Sequence, residues 1–380
     1  MSTDKKAVRV TYIWLSGKDA HHDIRSKDRT MYLTEKEISE SPKELLLKNF
    51  FPVWNFDGSS TGQAKGTDTE VLLKPVNAFP CCLPRREGSK IPWILVLAEC
   101  YLPSGDPTPD NSRASARQTF DLKLEERPWF GLEQEFFIVD RAGRPYGWPA
   151  RGFPEPQGPY YCGSGSQVSW GRKFVDLHYE VCLEMGLSVS GTNEEVTPAQ
   201  WEFQVGPCEG IEMGDQIVVA RWVLLRILED FDLDVDYRAK PIKGDWNGSG
   251  LHTNFSTEST RAENGLDTIY EYIERLSKTV RKDIIFYGAE NDTRLTGKHE
   301  TSSVSQFSYG VGTRTTSIRI PNSVAAERRG YMEDRRPAGD ADPYLITSRL
   351  FASCLGLEAP ALDVASPTHE KDWMKRAFGN

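Results

Sequence analysis

The stretch Trp129-Phe130-Gly131-Leu132-Glu133-Gln134-Glu135-Phe136-Phe137-Ile138-Val139 is aromatic and β-branched, the composition of a strand. Successive side chains of a strand point to opposite faces, so Glu133 and Glu135 share one face while Leu132, Gln134 and Phe136 take the other. No Lys or Arg stands among them. At ~7 Å separation and an effective dielectric of ~20, such a pair repels by roughly 2 kcal/mol. One pair alone could lie on a solvated sheet face. Its chemical meaning comes from further ligands downstream: Glu195, Glu202, His252 and Glu333. Five carboxylates and an imidazole on one polar side cannot stay ionised together unless cations are present, so the site must hold protons or metals. Oxygen ligands with a single nitrogen suit Mg²⁺ or Mn²⁺, and two sites of about three ligands each leave positions for phosphate oxygens and water. Arg294, Arg314, Arg319, Arg335 and Arg336 lie in the same half of the chain and suit bidentate gripping of phosphate or carboxylate. The combination is compatible with metal-assisted phosphoryl transfer. There is no G-x-x-x-x-G-K-[ST] loop and no kinase signature set, so a nucleotide would be held in another way.

The elements that must position these groups read as an α+β layout. Residues 1–110 read as mostly β. Val8, Val10, Tyr12 and Trp14 alternate with Arg9, Thr11 and Ile13, and Trp93 to Ala98 is a continuous apolar run. Trp54 to Gln63 reads as a strand running into a turn, and Tyr101 to Asp110, with Pro103, Gly105, Pro107 and Pro109, as a linker. The domain boundary is placed there, leaving 111–380 as a larger domain of mixed strands and helices. Gly143 to Tyr161 is too irregular for an element and long enough to be functional. Helical stripes run through Phe174, Leu177, Val181 and Met185; through Ile217, Ala220, Leu224, Ile227 and Phe231; and through Leu266, Ile269, Ile273, Leu276 and Val280. Asp342-Pro343 reads as an N-cap followed by a first-turn proline. In the strand-like segments 200–205, 251–256 and 316–321, the polar groups (Glu202 and Gln204; His252, Asn254 and Ser256; Ser317 and Arg319) gather on one face. The pattern implies a concave sheet with helices on its apolar side and a cavity on its polar side.

Charged residues at 27% and hydrophobics at 38% describe a globular chain, and a net charge of −9 with no basic stretch argues against a general nucleic-acid role. Seven scattered cysteines without a C-x-x-C pair fit a reducing compartment rather than a zinc ribbon or a disulfide framework. No apolar run approaches membrane-spanning length and the first residues lack a signal-peptide core, so a cytoplasmic location without membrane partners is expected.

Seven ordered blocks closely resemble eukaryotic-type (type II) glutamine synthetase. They are Trp54 to Gln63, Glu133-Gln134-Glu135, Gly158 to Gly163, Pro198 to Gln204, Asn247 to Asn254, His299 to Ser302 and Glu333 to Pro337. The resemblance runs from about Val8 to Pro343. It implies a small N-terminal β-grasp-like domain and a larger catalytic domain with a curved antiparallel sheet backed by helices. It implies an ATP-dependent ligation of ammonia to L-glutamate through γ-glutamyl phosphate. By the same resemblance Glu135, Glu195 and Glu202 match one metal site and Glu133, His252 and Glu333 another, with two to three divalent ions in all. Trp129, Asn254, Ser256, Arg314, Arg319 and Tyr331 match nucleotide positions. Trp246, Gly248, Arg294 and Arg335 match positions around glutamate, and Arg314 and Arg335 also serve the transferring phosphoryl group. Asp57 and Ser60 match an ammonium-side loop given by the neighbouring subunit, and Glu300 matches a flap carboxylate that closes over the acyl phosphate. The family forms decamers of two pentameric rings with sites between subunits.

The chain departs from the family's pattern at Asp245, where the animal enzymes carry Asn, and at Thr293 and Lys298 on either side of the segment leading to the flap. Two other readings compete with the ligase. A γ-glutamyl ligase for a larger amine would share the activation chemistry, and a non-catalytic structural relative would be expected to have lost ligands that are all present here.

Overall fold

The computed structural model describes residues 4–16, 23–84, 88–156 and 158–360. The chain begins with β1 (Lys5–Leu15), β2 (Ile24–Thr34), the short helices α1 (Glu35–Ser39) and α2 (Pro42–Leu47), then β3 (Trp54–Asp57), β4 (Glu70–Pro80) and β5 (Trp93–Tyr101). These strands form one sheet in the order β2-β1-β5-β4-β3, with β1 and β5 parallel and the other neighbours antiparallel. Period-2 alternation divides each inner strand between two cores. Val8, Val10, Tyr12 and Trp14 of β1 join Ile94, Val96 and Ala98 of β5 in a core closed by Leu45 and Phe51. Ile13, Trp93, Leu95 and Leu97 point the other way into the main core. The uninterrupted apolar run of β5 therefore has a direct cause: both of its faces are covered. β2, at the edge, carries Arg25, Lys27 and Arg29, charges that discourage edge-to-edge pairing.

After the connection 102–111 come α3 (Ser112–Asp121), β6 (Trp129–Asp140), α4 (Arg172–Glu184), β7 (Val189–Glu194), β8 (Gln200–Glu209), α5 (Ile211–Glu229), β9 (Leu233–Asp236), β10 (Leu251–Ser256), α6 (Glu258–Arg261), α7 (Gly265–Asp283), β11 (Tyr309–Val311), β12 (Ile318–Ile320), α8 (Asn322–Glu327), β13 (Met332–Asp334) and α9 (Pro343–Leu355). The strands order as β11-β12-β13-β10-β6-β8-β7, with β9 also paired to β6. Leu132, Phe136, Trp201, Phe203, Val205, Leu251, Phe255, Ile318 and Ile320 pack into the main core with the apolar faces of α4, α5, α7 and α9. The expected stripes fall on these helices with four departures. Met185 is the C-cap just past the end of α4, and Leu177 is half-buried. Phe231 lies beyond the end of α5, exposed but edge-on to Phe174 with centroids 4.9 Å apart, and Val280 is half-buried. Asp342 caps α9, its Oδ1 accepting from the Tyr344 (2.8 Å) and Leu345 (3.3 Å) amides.

The sheet is mixed, not purely antiparallel. β11 and β12 run parallel, Tyr309 opposite Ile318, although only residues 312–317 join them. Gly312 makes the reversal possible at φ 67°, where a Cβ would stand 2.6 Å from Asn322 Oδ1. A buried polar cluster ties the first sheet to α3, α5 and α9. Arg113 of α3 donates through Nε (2.7 Å) and Nη2 (2.9 Å) to the Asp215 carboxylate of α5 and through Nη1 to Glu99 of β5. Asn77 of β4 and the Tyr344 hydroxyl of α9 also donate to Asp215 (2.9 and 2.8 Å).

Candidate active site

Strand register assembles the polar groups. Gly131, Glu133 and Glu135 occupy alternate positions of β6 on the face opposite the core. Across the ladders His252 lies opposite Glu133, Glu202 opposite Glu135, Asn254 opposite Glu333 and Arg319 opposite Glu333. Directly opposed side chains on one face are neighbours. The hydrogen bonds reflect this pairing. His252 Nδ1 lies 3.3 Å from Glu133 Oε2 and 3.6 Å from Glu333 Oε1, and Asn254 Nδ2 donates to Glu133 Oε1 (2.8 Å). The Gly250 amide donates to Glu135 Oε2 (2.7 Å), and Gln204 Nε2 donates to Glu202 and to Asn193 Oδ1 (2.7 Å). Gln134, on the other face, accepts from the buried Arg221 Nε (2.8 Å).

Among the described residues, two groups of three ligand atoms meet within 4.8 Å: one from Glu133, His252 and Glu333, the other from Glu135, Glu202 and His252. Glu195 lines the same cleft but stands outside both groups. Its oxygens accept from Asn193 Nδ2 (3.2 Å) and the Val196 amide (3.3 Å). Glu195 is half-buried by area, yet the atoms packed around its carboxylate desolvate it. That burial, reinforced by the charge of Glu135, pushes its pKa up to about 8. Burial and the charges of Glu133, Glu135 and Glu195 push Glu202 well above the ordinary carboxylate range. Glu333 accepts from Arg319 Nη1 (3.0 Å) and from Arg335 Nη1. His252 is driven down to about 3, first by burial and then by the Arg335 charge. Arg294 Nη2 lies 3.0 Å from His252 Nε2, and since an arginine can only donate, Nε2 accepts and Nδ1 carries the ring proton. Gly250 makes room for this contact: a Cβ there would fall 2.3 Å from Arg294 Nη2 and 3.0 Å from His252 Nε2.

Arginines close the other wall. Arg294 is buried, with Nη1 on the Arg335 and Arg336 carbonyls (3.2 and 3.4 Å), and burial lowers its pKa to about 10. Arg335 donates through Nε to the Arg314 carbonyl (3.1 Å) and through Nη2 to the Glu300 carbonyl (3.3 Å), while Arg314 Nη1 reaches Glu300 Oε2 (3.0 Å). Arg336 turns from the cleft to the buried Asp334. Asn247 and Gly248 line the cleft; Trp246 does not, its ring being stacked on Phe153 (centroids 6.0 Å apart) beside Trp148.

Asn254 reaches the margin through Glu133. Trp129 pairs in register with Ser256, its ring lies 4.1 Å from the Arg261 guanidinium, and Arg261 donates to Ser256 Oγ (2.9 Å). Trp129 and Tyr331 are exposed, and burial of its hydroxyl, then Glu133 and Glu333, raises the Tyr331 phenol. Asp57 and Ser60 do not line this cleft. They lie at the end of β3, where Asp57 Oδ1 accepts from the Ser59 hydroxyl (2.7 Å) and amide (3.0 Å), bonds that lower its pKa.

Tyr161, His299 and Thr301 also line the cleft, although the sequence assigns them no role. Each sits inside a recognisable block, but nothing in its spacing aims it at the carboxylates. Of the departures, Asp245 pairs with His299, Oδ1 to Nε2 2.9 Å. Thr293 donates to the Glu290 carbonyl (2.7 Å), and Lys298 is exposed.

Known proteins resemble this chain in sequence and in fold. Residues 6–103 match the family model for the glutamine synthetase β-grasp domain and residues 112–285 that for the glutamine synthetase catalytic domain. Glutamine synthetase of Neurospora crassa is 52% identical over 345 residues, 91% of each chain. That of Colletotrichum gloeosporioides is 50% identical over 93% of each, and that of Saccharomyces cerevisiae 47% over 94% of this chain and 91% of its own. The cryo-EM structure of Plasmodium falciparum glutamine synthetase superposes with a TM-score of 0.70 over 92% of this chain and 72% of its own; at 16% identity that likeness speaks for the fold. A shared β-grasp and catalytic-domain architecture, with about half the residues identical across nine-tenths of the length, places this chain in the glutamine synthetase family, of eukaryotic type.

Proposed function

We propose that this chain is a glutamate–ammonia ligase that transfers the γ-phosphoryl group of ATP to the side-chain carboxylate of L-glutamate and then lets ammonia displace phosphate. The observation that carries the reading is the convergence of two three-ligand groups on His252, walled by arginines, in a chain about half identical to glutamine synthetases. The donors fit hard dications: they are carboxylate oxygens and one neutral imidazole, and the uncompensated burial that raises Glu195 and Glu202 is what a bound cation would relieve. Glu135, Glu195 and Glu202 would hold one ion and Glu133, His252 and Glu333 another, Mg²⁺ or Mn²⁺, two to three per site. When bound, such ions neutralise phosphate oxygens and fix their orientation.

The chain's own residues do the rest. Arg314, Arg319 and Arg335 meet charge that shifts onto the leaving nucleotide, and Arg294, rigid on two carbonyls, grips glutamate with Arg335, Gly248 and the loop of Trp246. Trp129, Asn254, Ser256 and Tyr331 flank the nucleotide. Glu300 closes over the acyl phosphate, keeping water from a carbonyl that ammonia must reach first. Ammonium has no free lone pair and must lose a proton before it attacks. Asp57, an aspartate whose pKa the Ser59 bonds lower further, suits binding of that cation beside Ser60 and Glu300.

Because Asp57 and Ser60 do not line their own chain's cleft, the reading calls for an oligomer in which one subunit's first domain completes its neighbour's site. A decamer of two pentameric rings, with the domains dividing near residue 110, fits it. A cytoplasmic location accords with the sequence, and among the described residues no helix is long and apolar enough to cross a membrane. The test is glutamine formation with glutamate, ATP, Mg²⁺ and ammonium each omitted in turn. All four should be required, and turnover without ammonium but with a larger amine would redirect the assignment.

A further inference from the structure

We propose that Asp245 is a positioning residue that latches the flap segment His299–Glu300 over the cleft, an inference that rests on the ligase reading above. The pairing is direct, His299 Nε2 to Asp245 Oδ1 at 2.9 Å, and it joins two loops 54 positions apart in the chain. The two sides differ in character. Asp245 stands on a fixed post. The Trp246 carbonyl next to it accepts from Lys240 Nζ, the Gly248 carbonyl accepts from Gln200 Nε2 (2.9 Å), the Ser249 amide donates to the Ala239 carbonyl (3.1 Å), and the Trp246 ring packs on Phe153 and Trp148. The flap side is strained: His299 (φ 52°) and Glu300 (φ 60°) are consecutive non-glycine residues in the left-handed region, which side chains adopt only where surrounding contacts hold them. Thr301 anchors the base of the flap through its hydroxyl to the Lys298 carbonyl (2.8 Å). Glu300 is held over the cleft by Arg314 and Arg335. These two arginines are the ones that substrate phosphates would draw away, and when they turn to phosphate the contact at Asp245 continues to hold the strained pair in place.

The Asp245 side chain is 91% exposed, so packing does not account for a carboxylate there. Lys240 also feels the Asp245 charge, but its Nζ is placed on the Trp246 carbonyl. The reaction gives the latch its purpose. If water reaches γ-glutamyl phosphate, its oxygen bonds to the side-chain carbonyl carbon, the bond from that carbon to the phosphate oxygen breaks, and glutamate and inorganic phosphate leave with ATP consumed for nothing.

The experiment measures ADP formed per glutamine formed, on the full chain in its native assembly, for wild type, Asp245→Ala, His299→Ala and the double variant. A solvent-facing polar contact of this kind supports a shift of about two- to fivefold in the closed-to-open ratio of the flap. The ADP formed in excess of glutamine should rise by that factor in each single variant, rise no further in the double, and return toward wild type in His299→Gln, which keeps a donor. KM for ATP and melting temperature should stay at wild-type values. An unchanged ratio in Asp245→Ala, additive single effects, or a lowered melting temperature accounting for the loss would overturn the latch. A wild-type chain that makes no glutamine at all would instead remove the ligase reading beneath it, while a tightly coupled wild type and variants would remove the latch alone.

Discussion

Replacing Glu195 by Gln should make the metal-free protein more stable, and increasingly so as pH rises. Glu195 has its pKa raised from 4.5 to about 8 by burial and the Glu135 charge. Between those values the folded chain keeps a proton that the unfolded chain has released, so stability falls as pH rises, and the full effect above pH 8 is ~5 kcal/mol. His252 works in the opposite direction: its pKa falls from 6.5 to about 3, so its contribution is lost only as pH drops below 6.5. The window from 6.5 to 8 therefore isolates the carboxylates, and there Glu195 alone accounts for ~2 kcal/mol. For a chain of this length that corresponds to about 2–3 °C in melting temperature. The assay is thermal or urea unfolding of wild type and Glu195→Gln in chelator, at one protein concentration, across this window. The gap between them should widen with pH in favour of the variant. Saturating Mg²⁺ should reverse the wild-type slope, because the ion takes the deprotonated ligands, and should help the variant less. A gap that stays constant or narrows would show that Glu195 is not an uncompensated buried acid.

Glu300→Ala should lower glutamine formation by ~10²-fold, the scale of a lost acid–base group, while ATP hydrolysis continues; unchanged coupling would count against the flap role. Subunits carrying Asp57→Asn and subunits carrying Glu133→Gln, each inactive alone, should regain activity when dissociated and reassembled together, and dilution to monomer should abolish turnover. A fully active monomer would rule out shared sites. Asp215→Ala should destabilise the fold by ~3–5 kcal/mol, because it leaves the buried Arg113 guanidinium without its bidentate partner. Urea unfolding would read this, and a loss below ~1 kcal/mol, the worth of a surface pair, would mean water compensates Arg113.

What could be read from sequence was local. Alternation placed Glu133 and Glu135 opposite Leu132 and Phe136, and Glu202 and Gln204 opposite Trp201 and Phe203, because a strand's pleat leaves only two faces and apolar side chains choose one. Spacing of three and four marked α4, α5 and α7, and Asp342-Pro343 marked the start of α9. Phe231 misled because apolar spacing continues past the residue where the backbone leaves the helix. The ladder order was not legible. That His252 faces Glu133 across 119 residues, or that β11 joins β12 in parallel, depends on which strands the whole core brings side by side. For the same reason the seven matching blocks could name ligands, but not that Glu195 would stand outside both three-ligand groups or that burial and neighbouring carboxylates would push Glu202 well above the ordinary carboxylate range. Nor did residue type reveal that Asp245 would meet His299, since a surface carboxylate in a loop can turn toward any partner within reach. Periodicity reports which face is buried; which neighbour a polar group meets there is set only when every element has packed, and on that meeting the chemistry depends.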